Sequence, residues 1–375
     1  MKKIILFYAS YGGGHLSAAK SIKQYIDENI PNTETYLIDC MAYIDKTLNK
    51  ITTLAYKEMA KKAPWAWGKV YYHSQKGALA KISSTSNKFM ARKLLKLFHE
   101  IQPDVVISTH PFGSQMTSYL KEKQKTDCSL ATVMTDFAPH DQWLVGKEQV
   151  DFFFVSHTGM KEALIQKGVK ETKIFATGIP LSNKFLQHYK REDILKSFDL
   201  TPDKRVLLFF GGGEFGLGKT RTLEILKSFL AYTNDLQIIA ISGRNEKMKK
   251  HFEELVEEEQ KQQDIKILEY TDKVPELMSI SELVVTKPGG LTVTESLASG
   301  LPIIIINPIP GQEEENAEFL EKKGVAIWLH KQDNAKQIIE DLIHSPEKIK
   351  QMKINSRLLA KKNATKEICE IIFLK

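Results

Sequence analysis

Short runs of consecutive apolar residues recur along the chain, and each one stops at a cluster of small or polar residues. In the first half these runs fall at residues 3–9, Tyr36–Ile38, 104–109, Ser129–Thr135, Asp151–Ser156 and Lys173–Ala176. In the second half they are Val206–Phe210, Ile238–Ile241, Leu283–Val285 and Ile303–Ile306. Unbroken apolar runs rich in β-branched residues suit strands buried on both faces of a parallel sheet, whereas alternation would mark a half-solvated one. Helical spacing of apolar residues lies between them: after Ser17, from Phe112, over Glu246–Gln263, from Leu291, over Asn334–His344 and over Glu347–Lys362. The pattern predicts an α/β protein with two domains. Thr177-Gly178-Ile179-Pro180 reads as the linker. The expected domains are 1–178 and 179–375, with the last helix able to pack back on the first domain. No short internal repeat is apparent.

Candidate chemistry follows the strands, because open parallel sheets bind ligands at the carboxyl ends of their strands. After the first strand comes Gly12-Gly13-Gly14-His15. Gly12, Gly14 and Ser17 nearly fit a dinucleotide fingerprint, with Asp39 closing the next strand, but Ser17 stands where a Gly or Ala belongs. His110 and Asp136 close two further strands. Gly211-Gly212-Gly213 follows Val206–Phe210, and Gly213 with Gly218-Lys219-Thr220 matches a P-loop literally. A P-loop enzyme also needs an acidic residue at a strand end to hold Mg²⁺, and the downstream strands end in Ser, Thr or Asn. The loop therefore reads as a glycine turn that offers N–H groups to a diphosphate.

The most informative stretch is Thr286-Lys287-Pro288-Gly289-Gly290-Leu291-Thr292, which passes into a helix ending at Ser299-Gly300. Its glycines let the backbone approach a ligand, and the helix start offers unpaired N–H donors and partial positive charge. Glu295, about one turn in, suits a neutral diol such as a ribose rather than a phosphate. Gln312, Glu313 and Asn316 supply amide and carboxylate groups suited to sugar hydroxyls.

Composition narrows the class. An apolar content of 42% and a charged content of 26% belong to a globular chain. No apolar run reaches the roughly 18 residues of a membrane span. Met1-Lys2-Lys3 and the apolar residues after them read as a first strand rather than a secretory segment, since no small-residue cleavage site follows. Three scattered cysteines without a CxxC pair point to a reducing compartment and away from structural zinc. The net charge of +7 is concentrated. Lys46 to Lys96 holds twelve basic residues against the single acid Glu58, interleaved with Trp65, Trp67, Tyr71 and Tyr72. That mixture suits an anionic membrane interface. No nucleic-acid motif accompanies it, so no nucleic-acid partner is expected.

The Gly loop, Glu295 and the Gln-Glu…Asn string together resemble the donor signature of glycosyltransferase family 28. That family includes monogalactosyldiacylglycerol synthase, the processive diacylglycerol glucosyltransferases and the lipid II GlcNAc transferase. The resemblance implies a GT-B architecture, two Rossmann-like domains facing an interdomain cleft. It implies an inverting transferase that moves a hexose from a UDP-sugar to diacylglycerol or a glycosyl-diacylglycerol, working on the inner face of the cell membrane without a metal cofactor. GlcNAc transfer to another lipid-linked acceptor is the alternative, and a P-loop NTPase a more distant one. In the family's terms the loops at Gly211–Gly213 and Pro288–Thr292 hold the diphosphate and Glu295 the ribose. Gly243-Arg244 lies beside the nucleobase, and Tyr270–Ser279, with Thr271, is the loop that cradles it. Gln312, Glu313 and Asn316 bind the hexose. Gly13, Gly14, His110, His140 and Trp143 line the acceptor side, with Asp136 as base and His15 as runner-up.

Overall fold

A computed structural model describes residues 1–10, 13–44, 78–211 and 218–374, with side chains throughout except over 78–89. Trp65, Trp67, Tyr71, Tyr72, Gly12, Gly212 and Gly213 lie outside the described residues. The chain forms two compact units.

The first unit comprises Met1–Ser182 with Pro310–Gln312 and Lys361–Lys375. Its elements are β1 (Lys2–Tyr8), α1 (Gly14–Asn29), β2 (Thr33–Asp39), α2 (Cys40–Ile44), α3 (Ala78–Ile101), β3 (Val105–Ser108), α4 (Pro111–Glu122), β4 (Ser129–Val133), β5 (Phe152–Phe154), α5 (Thr158–Gln166) and β6 (Ile174–Phe175). The strands form one parallel sheet in the order β2-β1-β3-β4-β5-β6. The order reverses between β1 and β3, which opens a crevice at their carboxyl ends. Ile5 and Phe7 point to one face with Met90, Leu94 and Phe98 of α3, and Ile4 and Leu6 to the other with Ile22 and Ile26 of α1. This two-sided burial is why the strands read as unbroken apolar runs. The C-terminal part of the basic segment Lys46–Lys96 is helical, within α3.

The C-terminal helix, Ala364–Leu374, completes the second of these faces. Ile368 and Cys369 are fully buried beside Ile4, Leu6 and Ile22. The Leu181 N–H donates to Thr365 Oγ1, and that hydroxyl donates to the Leu181 carbonyl, each at 3.0 Å. Gly178 has φ +99°, and Lys361 and Ala364 occupy the space its side chain would need.

The second unit comprises Asn183–Ile309 and Glu313–Ala360. It contains α6 (Arg191–Ser197), β7 (Arg205–Phe210), α7 (Lys219–Leu230), β8 (Leu236–Ile241), α8 (Glu246–Glu258), β9 (Ile265–Leu268), α9 (Val274–Ile280), β10 (Leu283–Thr286), α10 (Gly290–Ala298), β11 (Ile303–Ile305), α11 (Gln312–Lys322), β12 (Ala326–Trp328), α12 (Ala335–Ile343) and α13 (Pro346–Leu359); the C-terminal helix is α14. The parallel order is β12-β11-β10-β7-β8-β9, with the reversal between β7 and β10. The two edge strands, β9 and β12, were not apparent in the sequence, because each is short and only partly buried.

Tyr270–Ser279, read as a loop, is corrected by the fold. Only its first part is irregular, and Val274–Ile280 is helical. Pro275 falls in the first helical turn, where its missing N–H costs nothing and its fixed φ presets the helix. The amphipathic helix expected to reach Gln263 ends at Glu258.

Candidate active site

In the first unit the crevice between β1 and β3 gathers two histidines. His15 is the second residue of α1. Its Nδ1 lies 2.6 Å from the Thr109 carbonyl and 3.1 Å from Thr135 Oγ1. A carbonyl can only accept, so Nδ1 carries the proton and Nε2 keeps its lone pair. Burial lowers the His15 pKa to about 4, against a smaller opposing effect of the Thr109 carbonyl. The ring is therefore neutral at pH 7. His110 stands edge-on to it at 4.6 Å between ring centres, and burial also pushes that imidazole well down. The His110 ring caps α4 by accepting from the Phe112 N–H, and Pro111 at the helix start presets the turn. The protein thus keeps two neutral rings where two cations would repel.

Asp136, three residues beyond β4, is 4% exposed. Gln312 belongs to the same unit, and its side-chain amide donates to the Asp136 carboxylate. His140 caps a short turn by accepting from the Gln142 N–H. Trp143, expected on the acceptor and membrane side, is 2% exposed and sits in the core, its ring 6.5 Å from that of His15. It is a packing residue behind the crevice, and it reaches no membrane surface. Gly13 is exposed, and among the described residues nothing lies within 4 Å of where its Cβ would stand, while Gly14 opens α1.

The second unit builds its site at the β7/β10 reversal. Gly211 follows β7 with Phe252 of α8 where a Cβ would go, so only glycine fits. Lys219 and Thr220 open α7 and are exposed. The Asn307 side chain fills the space beside Gly218 and donates to Thr222 Oγ1 at 2.9 Å. Strand β11 is thereby tied to the start of α7 by an amide, where a P-loop enzyme would need a carboxylate.

After β10, Gly289 caps α10 in an extended conformation and, being glycine, offers no side chain to the first-turn N–H groups. These donors suit an anion. Asn316, expected to hold sugar hydroxyls, is fully buried, and its Nδ2 donates to the Pro288 carbonyl at 3.0 Å. Here it pins the loop. Glu313 Oε2 accepts from the Ile309 N–H at 2.7 Å, and burial raises its pKa. The neighbouring Leu291 and Thr292 are partly exposed on the same turn. Glu295, deeper along α10, has its pKa raised by burial to about 8. Beyond β8, Gly243 adopts φ +63° and Arg244 lies over the Tyr270 ring at 4.9 Å. Thr271 Oγ1 accepts from the Lys273 N–H at 3.1 Å, holding the bend before α9.

Several contributors escaped the sequence reading. Thr109 and Thr135 fix the His15 tautomer, and nothing in the sequence marks two threonines on different strands as partners of one ring. Tyr270 provides the face on which Arg244 rests, and its 65% exposure signals a ring without a core role. Lys287 was quoted in the Gly-loop string without being given a role.

Comparison with known proteins decides the family. The model for monogalactosyldiacylglycerol (MGDG) synthase matches residues 15–181, and that for the glycosyltransferase family 28 C-terminal domain matches residues 207–369. A processive diacylglycerol beta-glucosyltransferase of Bacillus mycoides is 30% identical over 351 residues, 94% of this chain and 88% of that protein. This chain belongs to that glycosyltransferase family. A second relative of the same description, from Bacillus licheniformis, is 28% identical and covers 98% of the chain and 93% of its own length. Among solved structures, MurG of Acinetobacter baumannii superposes with a TM-score of 0.64 at 13% identity, covering all of both chains. MnaA of S. aureus, solved with UDP, gives 0.66 at 15% identity over 99% of this chain and 96% of its own. At such identity these two show the fold, which is of the GT-B kind, and nothing more. The transferase carries a Rossmann-like sheet in each unit, as the sequence led us to expect.

Proposed function

We propose that this glycosyltransferase moves a hexose from a UDP-sugar to diacylglycerol or a glycosyl-diacylglycerol, with inversion at the anomeric carbon. The observation that carries the reading is the loop cluster of the second unit. The uncapped start of α10 and the Glu295 carboxyl on the same helix follow β10, and Glu313 reaches toward Gly289; this reading gives them the diphosphate, the ribose and the hexose. The names of the relatives, processive diacylglycerol beta-glucosyltransferases, supply the acceptor class.

In this reading the acceptor hydroxyl attacks the anomeric carbon as the bond from that carbon to the diphosphate breaks. The hydroxyl proton passes to Asp136. His15 is the poorer acceptor, because burial weakens its basicity. The α10 N-terminus receives the charge that builds on the departing diphosphate, which leaves no step that needs a metal. Gln312 and Glu313 orient the hexose. The basic, aromatic stretch between Lys46 and Lys96 draws the protein to anionic lipid on the inner face of the membrane, each charge contributing roughly 1 kcal/mol near the surface.

UDP release from a panel of UDP-hexoses tests this, with and without anionic vesicles containing diacylglycerol and with EDTA throughout. Lipid-dependent, EDTA-resistant turnover of one UDP-hexose is expected. No turnover of any UDP-sugar, together with Mg²⁺-dependent ATP hydrolysis, would reverse the reading.

A further inference from the structure

Lys287 follows β10 and stands two residues before Gly289, the cap of α10. Its Nζ is sealed from solvent, and among the described residues no hydrogen-bond acceptor reaches it. Burial lowers its pKa, and the nearby Glu313 acts in the opposite sense. That carboxylate is engaged elsewhere, by the Ile309 N–H. Glu313 Oε1 also lies 3.9 Å from where a Cβ on Gly289 would stand, so ammonium, carboxylate and helix cap share one small space. A buried ammonium without an acceptor is costly in a resting protein, and a site keeps one where an anionic ligand completes it. The uncapped N–H groups of α10 already favour an anion at this place.

We propose that Lys287 binds the donor directly, its ammonium taking a negatively charged diphosphate oxygen while the first-turn N–H groups of α10 take others. The inference rests on the donor reading above and names a residue that reading leaves idle. Negative charge grows on the diphosphate as the bond to the sugar breaks, so the same contact tightens in the transition state. Glu313, facing the ammonium from α11, restrains it in the empty protein.

The test compares uridine and UDP binding to the full chain by titration calorimetry, for wild type and Lys287→Met, alongside Tm. Lys287→Gln repeats the comparison with a neutral polar side chain, so that one poorly folded variant does not decide the matter. The neutral variants are expected to lose about 10- to 100-fold in UDP affinity and to keep uridine affinity within about twofold. Lys287→Arg is expected to retain most of the UDP affinity. Equal losses for uridine and UDP, accompanied by a lower Tm, would overturn the proposal in favour of a structural lysine. Unchanged UDP affinity with weakened UDP-hexose affinity would also overturn it, placing the ammonium on the sugar. Failure of the wild type to bind either ligand would remove the donor reading itself, an outcome distinct from both.

Discussion

Glu295 gives the sharpest quantitative handle on the donor site. Its carboxyl is partly buried on α10, and desolvation raises its pKa to about 8, so at pH 7 roughly one molecule in ten carries the charge. A ribose offers two hydroxyl donors, which an ionised carboxylate accepts and a neutral acid matches poorly. Binding therefore selects the ionised form and must first expel a proton. The cost at pH 7 is about 1.4 kcal/mol, one pKa unit, and about 0.9 proton leaves per ligand bound. Below pH 8 the group is neutral and the ligand prefers it charged. UDP affinity should thus climb by nearly tenfold from about pH 6 to 7, by about fivefold from pH 7 to 8, and then level. Calorimetry at pH 7 in two buffers of different ionisation enthalpy reads the proton count directly. Glu295→Gln should abolish that share of the release and flatten the pH profile, which separates Glu295 from Glu313, whose pKa burial also raises. If the two buffers give the same heat while Glu295→Gln still weakens binding, the ribose meets the protonated acid and this reasoning fails.

Other outcomes follow from the same geometry. Asp136→Asn should lower kcat by about 100- to 10,000-fold and leave the UDP dissociation constant unchanged, as measured by turnover and calorimetry on one preparation. A matching loss in UDP affinity would remove Asp136 as the base. Gly178→Ala must hold φ +99° and displace Lys361, whose Cβ stands where the new methyl would go; urea unfolding should show a loss of about 2 kcal/mol or more. Replacing half of the twelve basic residues between Lys46 and Lys96 with Gln should weaken binding to anionic vesicles and reduce its salt dependence, read by co-sedimentation, with UDP binding untouched.

The sheets were legible because parallel strands buried on both faces leave unbroken apolar runs, as in Val206–Phe210 and Leu283–Val285. The Gly loop before α10 was legible because backbone approach demands small residues. What sequence could not convey was how polar groups are spent. Asn316 is read as a sugar ligand from its type and spacing, yet its amide is committed to the Pro288 carbonyl. Trp143 lies beside basic and polar neighbours in sequence but is buried by packing that only the fold creates. His15 looked like a base at a helix start, and its low pKa arises from burial between strands far apart in the chain. Lys287 carried no mark at all, because an unpaired ammonium is a property of its surroundings.

The seat of α14 also sets an order of events during synthesis. Ile368 and Cys369 seal a face of the first unit whose strands were made more than three hundred residues earlier, and the whole second unit is translated in between. Until Ile368 and Cys369 have emerged from the ribosome, Ile4, Leu6 and Ile22 lack the apolar cover that the folded protein gives them. The donor-type sheet can close on its own residues first. The first unit therefore matures after the second, and a break in the chain before Ile368 would be felt in β1.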